Sequence, residues 1–208
     1  MILADIGNYH AHIWHDGMIE HLDISQAIEK YADYELHFIS VNNTHSQRLQ
    51  AMEKWTDISD EVSISGEYVG LGVDRKALCL SKGDGVYVDA GSAITVDKVV
   101  DGCYMGGFIL PGVHAYGKAY ADIAPVLALE INRGLDISNL PKSTKDGVSY
   151  GTISPIVSSV EKISVGMELY FTGGDGEWLS GYFDRAVYDE EMLFLGMIKI
   201  IGLRGNIC

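Results

Sequence analysis

Apolar and polar positions along the first part of the chain come in short bursts. Ile2-Leu3-Ala4 is an apolar run that ends at Asp5-Ile6-Gly7-Asn8, and His10 to Trp14 alternate polar with apolar, the period of a half-buried strand. Asp16-Gly17 predicts a two-residue hairpin turn, because a type I′ turn needs positive φ at both central positions. Met18 to Leu22 is the return strand. Asp23-Ile24-Ser25 offers caps for a helix through about Tyr31, Leu36 to Val41 reads as a buried strand, and Asn42-Asn43-Thr44 caps a second helix over about His45 to Trp55.

The second half opens in the same way. Gly85 to Val88 is an apolar β run that ends at Asp89-Ala90-Gly91-Ser92, Ile94 to Val100 is β-rich, Asp101-Gly102 repeats the hairpin signal, and Cys103 to Leu110 returns until Pro111-Gly112. A helical stretch near Lys145 to Lys162 follows, then a strand at Met167 to Phe171, the loop Thr172-Gly173-Gly174-Asp175-Gly176, and an amphipathic helix near Asp189 to Ile201. Asp5-Ile6-Gly7-Asn8 aligns with Asp89-Ala90-Gly91-Ser92, and Asp16-Gly17 with Asp101-Gly102. The economical architecture is two similar α/β halves, residues 1–84 and 85–208, with a cleft between them.

Composition narrows the function. The 208 residues carry 29 acidic against 15 basic side chains, a formal net charge of −14, and no Lys/Arg cluster. Nucleic acid and anionic membrane surfaces are therefore poor partners. A phosphate can still bind locally through backbone N–H groups and a metal ion. Cys79, Cys103 and Cys208 show no CxxC spacing, so neither a zinc knuckle nor a disulfide framework is expected, which fits a reducing cytoplasm. The N-terminal MILADIGN has no basic n-region, and the longest stretch without Asp, Glu, Lys or Arg, Gly102 to Gly117, holds five glycines and a proline. Neither reads as a targeting or membrane-spanning segment.

Three corners follow predicted strands: Asp5-Ile6-Gly7-Asn8, Asp89-Ala90-Gly91-Ser92-Ala93 and Thr172-Gly173-Gly174-Asp175-Gly176. The carboxyl ends of strands in an α/β sheet are where a ligand sits. A glycine admits close backbone approach, and an aspartate there can hold hydrated Mg²⁺ against polyphosphate oxygens or simply cap a turn. No Walker A and no GxGxxG sequence is present, so any nucleotide is held by hairpin loops. Gly70-Leu71-Gly72-Val73-Asp74-Arg75-Lys76 places an acid and a guanidinium side by side behind two glycines. An Arg fork suits a carboxylate and an Asp can take a proton from a hydroxyl; alternatively Asp74 caps a helix.

The motifs DIGN, GLGVDR, DAGSAITVD and GGFILPG, in that order between Asp5 and Gly112, resemble those of type III pantothenate kinases, and Thr172-Gly173-Gly174 and the Thr144 to Gly151 segment extend the likeness. That family belongs to the acetate kinase, sugar kinase, Hsp70 and actin superfamily. The resemblance implies two ribonuclease H-like (actin-like ATPase) domains with ATP in the cleft, and phosphorylation of pantothenate, the first step of coenzyme A synthesis. It implies nucleotide contacts from Asp5, Ile6, Gly7, Asn8, Tyr9, His10, Ala11, His12 and Ser92. Tyr68, Gly72, Val73, Asp74, Arg75 and Thr144 would contact pantothenate, with Asp74 as general base and Arg75 facing the carboxylate. Asp89 would bind a monovalent cation, K⁺ or ammonium, Asp5 would hold Mg²⁺ through water, and the protein would be a homodimer. Two positions depart from the family pattern: Tyr9 where threonine is usual, and Ser92 where the second loop usually has threonine.

Two other readings compete with this one: another kinase of the same superfamily with a different acceptor, and a non-catalytic nucleotide-binding regulatory module. The adjacent Asp74 and Arg75 favour catalysis, because an ATP sensor needs no base near an acceptor. His10 and His12 face the same way on a strand, but no carboxylate or cysteine completes an evident metal triad, and they read as surface histidines. Met192, Leu195, Ile198 and Ile201 lie about one helical turn apart and read as a core face, with a dimer face as the alternative. Cys79 and Cys103 read as buried packing residues.

Overall fold

The computed structural model describes residues 1–8, 10–41 and 44–204. The chain divides into two compact units. One comprises Met1–Gly83, Asp101–Tyr104 and the chain from Glu191 on; the other comprises Asp84–Val100 and Met105–Glu190.

The first unit holds strands β1 (Ile2–Ile6), β2 (His10–His15) and β3 (Met18–Asp23), helix α1 (Ile24–Tyr31), strand β4 (Leu36–Ser40), helix α2 (Ser46–Gln50), strand β5 (Trp55–Asp57) and helix α3 (Val73–Leu80). Its sheet runs β3-β2-β1-β4-β5, antiparallel through the first three and parallel from β1 to β4 and β4 to β5. The hairpin turn forms as the sequence predicts, with positive φ at both Asp16 (50°) and Gly17 (82°). At the start of α1 the Asp23 N–H donates to the Gln26 side-chain oxygen at 3.3 Å, the return bond of a capping-box arrangement.

The second unit holds β6 (Gly85–Ala90), β7 (Ala93–Val100), β8 (Cys103–Pro111), α4 (Val113–Ile123), α5 (Thr144–Ser164), β9 (Leu169–Thr172), α6 (Gly176–Ser180) and β10 (Ala186–Tyr188). Its sheet order is β8-β7-β6-β9-β10, with β6 antiparallel to β7 and parallel to β9. This is the order of the first sheet repeated, so each unit is built on a ribonuclease H-like sheet and the two share one topology. Asp101 and Gly102 again take positive φ, 52° and 70°.

Helix α7 (Met192–Arg204) packs in the first unit. Leu193, Phe194, Met197 and Ile200 join Val73, Ala77, Leu3 and Ile39 in one core cluster. The expected stripe is thus shifted: Met192 is buried, but Leu195 and Ile198 are only half-buried. The helices cross closely because Gly196 has no side chain, and a β-carbon there would overlap the Ala77 carbonyl oxygen.

Several elements differ from the sequence reading. The helix expected over His45 to Trp55 is only Ser46–Gln50, and Trp55 begins strand β5 instead. Trp55 is buried, tilted against Phe38 and donating its indole N–H to the Tyr31 carbonyl. These partners lie in distant parts of the chain, so local periodicity carries no trace of them. Helix α4 follows Pro111-Gly112 where the sequence showed only an ending, and β10 precedes the C-terminal helix, which starts at Met192 and not near Asp189. Cys79 is buried as expected, whereas Cys103 is half-buried with its Sγ 3.5 Å from the Ser65 Oγ. The caps at Asn42 and Asn43, the departure at Tyr9, and Cys208 lie outside the described residues. Among the described residues, no helix is long and apolar enough to cross a membrane.

Candidate active site

The N-terminal corner is built by the end of β1. Asp5 pairs with His12 across the hairpin and with Ile39 of β4. The Gly7 N–H donates to the His10 carbonyl at 3.0 Å, closing the corner. Ile6 and Ala11 are fully buried in the core, so only their backbone is available to a nucleotide. Asn8 and His10 are exposed. His10 lies 3.6 Å from the Asp23 carboxylate, and His12 meets the His21 ring edge-on at 4.7 Å. Among the described residues, no group of three or more His, Cys, Asp or Glu side chains is arranged to hold a metal ion.

Also in the first unit, Gly72 stands at the N-cap of α3 and Asp74 in its first turn. Gly72 and not Asp74 holds the N-cap position, but the Asp74 carboxylate does satisfy a first-turn N–H of the helix, as the capping alternative expects. Its Oδ1 accepts the Arg75 backbone N–H at 2.8 Å and lies over Gly72, where a β-carbon would overlap it. The Val73 side chain belongs to the core cluster. Arg75 is only 7% exposed. One terminal nitrogen donates to the Tyr68 hydroxyl and the other to the Tyr104 hydroxyl, both at 3.2 Å. Tyr68 is 52% exposed, its ring 6.1 Å from that of the buried Tyr104. The structure thus joins Tyr68, Gly72, Asp74 and Arg75 and adds Tyr104. The sequence signal for that residue was only an aromatic just past the Asp101-Gly102 turn.

In the second unit, the corner at the end of β6 and the glycine loop after β9 meet. A β-carbon on Gly173, which has φ +85°, would crowd the Asp89 carboxylate and the Ala90 carbonyl. The Asp175 N–H donates to the Ala90 carbonyl at 3.0 Å. Gly112 lies as tightly against the Ser92 and Gly91 carbonyls, and its N–H donates to Ser92 at 3.2 Å. Asp89, Ser92, Gly112 and Gly173 therefore form one compact backbone-walled corner. A cavity of about 710 Å³ adjoins it, lined among others by Val113, His114, Lys118, Arg133 and Asp175. Arg133 pairs with Asp175 and stacks 4.6 Å over Trp178. Thr144 is exposed at the first turn of α5. Close by, the Asn132 amide and then the Ser143 hydroxyl hold the Asp146 carboxyl below its usual range.

Comparison with known proteins decides what these corners belong to. The profile of the type III pantothenate kinases matches residues 20–165. A Helicobacter hepaticus type III pantothenate kinase is 39% identical over 202 residues, 97% of this chain and 98% of that protein. The chain belongs to the type III pantothenate kinase family. Likeness in structure agrees with that membership. A Campylobacter jejuni protein provisionally described as a Baf-family transcriptional activator has TM-score 0.92 and 37% identity, covering 100% of both chains. A Sinorhizobium meliloti protein provisionally described as a 2-dehydro-3-deoxygalactonokinase has TM-score 0.60 at 9% identity, covering 100% of this chain and 97% of that one. The second likeness speaks for the sugar-kinase and actin-like fold alone. The type III pantothenate kinase resemblance read from DIGN, GLGVDR, DAGSAITVD and GGFILPG is thereby established for nearly the whole chain.

Proposed function

We infer that the protein transfers the γ-phosphoryl group of ATP to the primary hydroxyl of pantothenate, the first step of coenzyme A synthesis. Membership of the type III pantothenate kinase family across nearly the full length carries this reading. The alternative of a non-catalytic nucleotide-binding module has no comparable support. A nucleic-acid-binding role is opposed by 29 acidic against 15 basic residues.

In this reading Asp74 is the general base. Its carboxylate accepts the hydroxyl proton as the oxygen attacks the γ-phosphorus in line and ADP leaves. The bond from its Oδ1 to the Arg75 N–H supports the role, because it fixes the carboxylate's orientation. Gly72 serves the same end by leaving room for it. Arg75 supplies the positive charge that recognises the pantothenate carboxylate, and the Tyr68 hydroxyl that accepts from it takes part in the same recognition. Thr144 contacts the acceptor as well.

Backbone at Gly7, Asn8 and His10 is read as one polyphosphate contact of the first unit and Ser92 as one of the second, and the cavity beside Asp175 would take the nucleoside. The oxygen-rich corner formed by Asp89, the Ala90 carbonyl and Gly173 suits a large monovalent cation, K⁺ or ammonium. Asp5 would hold hydrated Mg²⁺. These cations would offset the charge of the phosphates in an otherwise acidic protein. Positioning and electrostatics account for most of such catalysis.

We read the enzyme as a cytoplasmic homodimer. Met105 and Ile109 on β8, and Ile123 and Val126 after it, are exposed apolar side chains that a second copy would cover.

The test is ADP release coupled to a readout, with pantothenate present and absent, and identification of the phosphorylated product. Turnover that depends on pantothenate supports the reading. ADP release indifferent to pantothenate, or none with any acceptor, overturns it.

A further inference from the structure

The guanidinium of Arg75 does not lie open to an acceptor. It is 7% exposed, and its two terminal nitrogens are each engaged by a tyrosine oxygen at 3.2 Å. A guanidinium has donors only, so both hydroxyls act as acceptors towards it. A hydroxyl that accepts there directs its own proton elsewhere, and the neighbouring cation makes that proton a stronger donor.

The two tyrosines are not equivalent. Tyr68 is 52% exposed, whereas Tyr104 is 4% exposed. Tyr104 is also held firmly from its backbone. Its N–H donates to the Ser65 carbonyl at 2.7 Å, and its neighbour Cys103 bridges Ser65. Its carbonyl oxygen lies 2.6 Å from where a β-carbon on Gly66 would be, and Gly66 has φ +82°. The Asp101–Tyr104 turn is thus docked on the Ser65-Gly66 segment, with the Tyr104 hydroxyl placed against Arg75.

We propose that Tyr104 is a positioning residue for acceptor binding. It anchors one edge of the Arg75 guanidinium, so that the other edge polarises the Tyr68 hydroxyl, and the acceptor's carboxylate is received by that hydroxyl. Arg75 then acts on the carboxylate through Tyr68. This rests on the reading above that Arg75 recognises the carboxylate. It adds a residue and a relay that the sequence did not single out.

The test compares the parent with Tyr104→Phe, Tyr68→Phe and Arg75→Ala. Each is assayed with pantothenate and with its uncharged analogue, in which the carboxylate is reduced to an alcohol. Tyr104→Phe keeps the ring and removes one acceptor of a charged donor, so the KM for pantothenate should rise about tenfold. The KM for ATP, the kcat and the KM for the alcohol analogue should hold within about twofold. Tyr68→Phe should show the same selectivity, and Tyr104→Phe should add little in the Arg75→Ala background.

If Arg75→Ala is selective for the acid but Tyr104→Phe leaves its KM unchanged, or raises both acceptors equally, Tyr104 only packs and the proposal is wrong. If Tyr68→Phe is silent while Tyr104→Phe is selective, the relay is wrong. If Arg75→Ala costs the same with both acceptors, the carboxylate reading of Arg75 fails and the proposal falls with it. Should Tyr104→Phe unfold under assay conditions, the same variant is read by calorimetric binding of the two acceptors at low temperature, with the same acid-selective loss expected and an equal loss overturning the proposal.

Discussion

The Asp74 carboxylate occupies the space that a side chain on Gly72 would take. Its Oδ1 would overlap a β-carbon at residue 72, while the Gly72 backbone itself has φ −57° and ψ 139°, which any residue adopts. The glycine is required by the neighbouring carboxylate and not by the backbone. Gly72→Ala should therefore turn Asp74 out of place with little effect on folding. We expect kcat to fall about tenfold to a hundredfold, the scale of a misplaced catalytic group. The melting transition should stay near the parent's. A fully active Gly72→Ala enzyme would show that the orientation of Asp74 is unimportant.

Asp74→Asn keeps the shape of the side chain and removes its basicity. Loss of a general base typically costs about 10²–10⁴-fold in rate. Turnover should drop by that order, with circular dichroism and melting unchanged. Activity within a few-fold of the parent at matched folding would remove Asp74 from the base role.

Arg75→Lys tests the fork shape. Lysine has a point charge where arginine reaches two tyrosine oxygens at once. Arg75→Ala should lower kcat/KM for pantothenate by about 1.5–3 kcal/mol, the scale for losing a hydrogen bond to a charged group. The lysine variant should recover only part of this. Full recovery by lysine would mean that charge alone suffices.

Asp89 stands in the corner with Gly173 and the Ala90 carbonyl. Asp89→Asn should lower activity and flatten the difference between rates in K⁺ or ammonium and in Na⁺. Rates in the three salts check this. Equal activity of the parent with only a bulky organic cation present would rule out the cation role.

Gly196 lies against the Ala77 carbonyl where α7 crosses α3. Gly196→Ala must push the helices apart, since the obstacle is backbone and cannot rotate away. We expect a loss of about 1–3 kcal/mol of stability, typical of overpacking, seen as a lower denaturant midpoint at unchanged slope. A neutral substitution would show that the two helices separate without cost.

Much of the fold was legible in the sequence because it depends on near neighbours. The two Asp-Gly turns read correctly, since positive φ at two successive residues is a local demand. The strands and corners around Asp5 and Asp89 followed from the same short-range logic, and with them the likeness of the two halves, whereas the strand order within each sheet came from the structure. The motif residues Asp74 and Arg75 were also visible as an acid and a guanidinium behind two glycines. What tertiary structure decided lies where the partners are far apart along the chain. Trp55 leaves a helical pattern for strand β5 because its indole finds Tyr31 and Phe38. The C-terminal helix turns the Leu193, Met197 and Ile200 face to the core because Gly196 meets Ala77. Above all, Arg75 could be read from the sequence as a cation near an acceptor, but its two hydroxyl partners could not. Tyr104 reaches it only because the turn after β7 docks on Ser65 and Gly66, a contact across 38 positions of chain that no local pattern encodes.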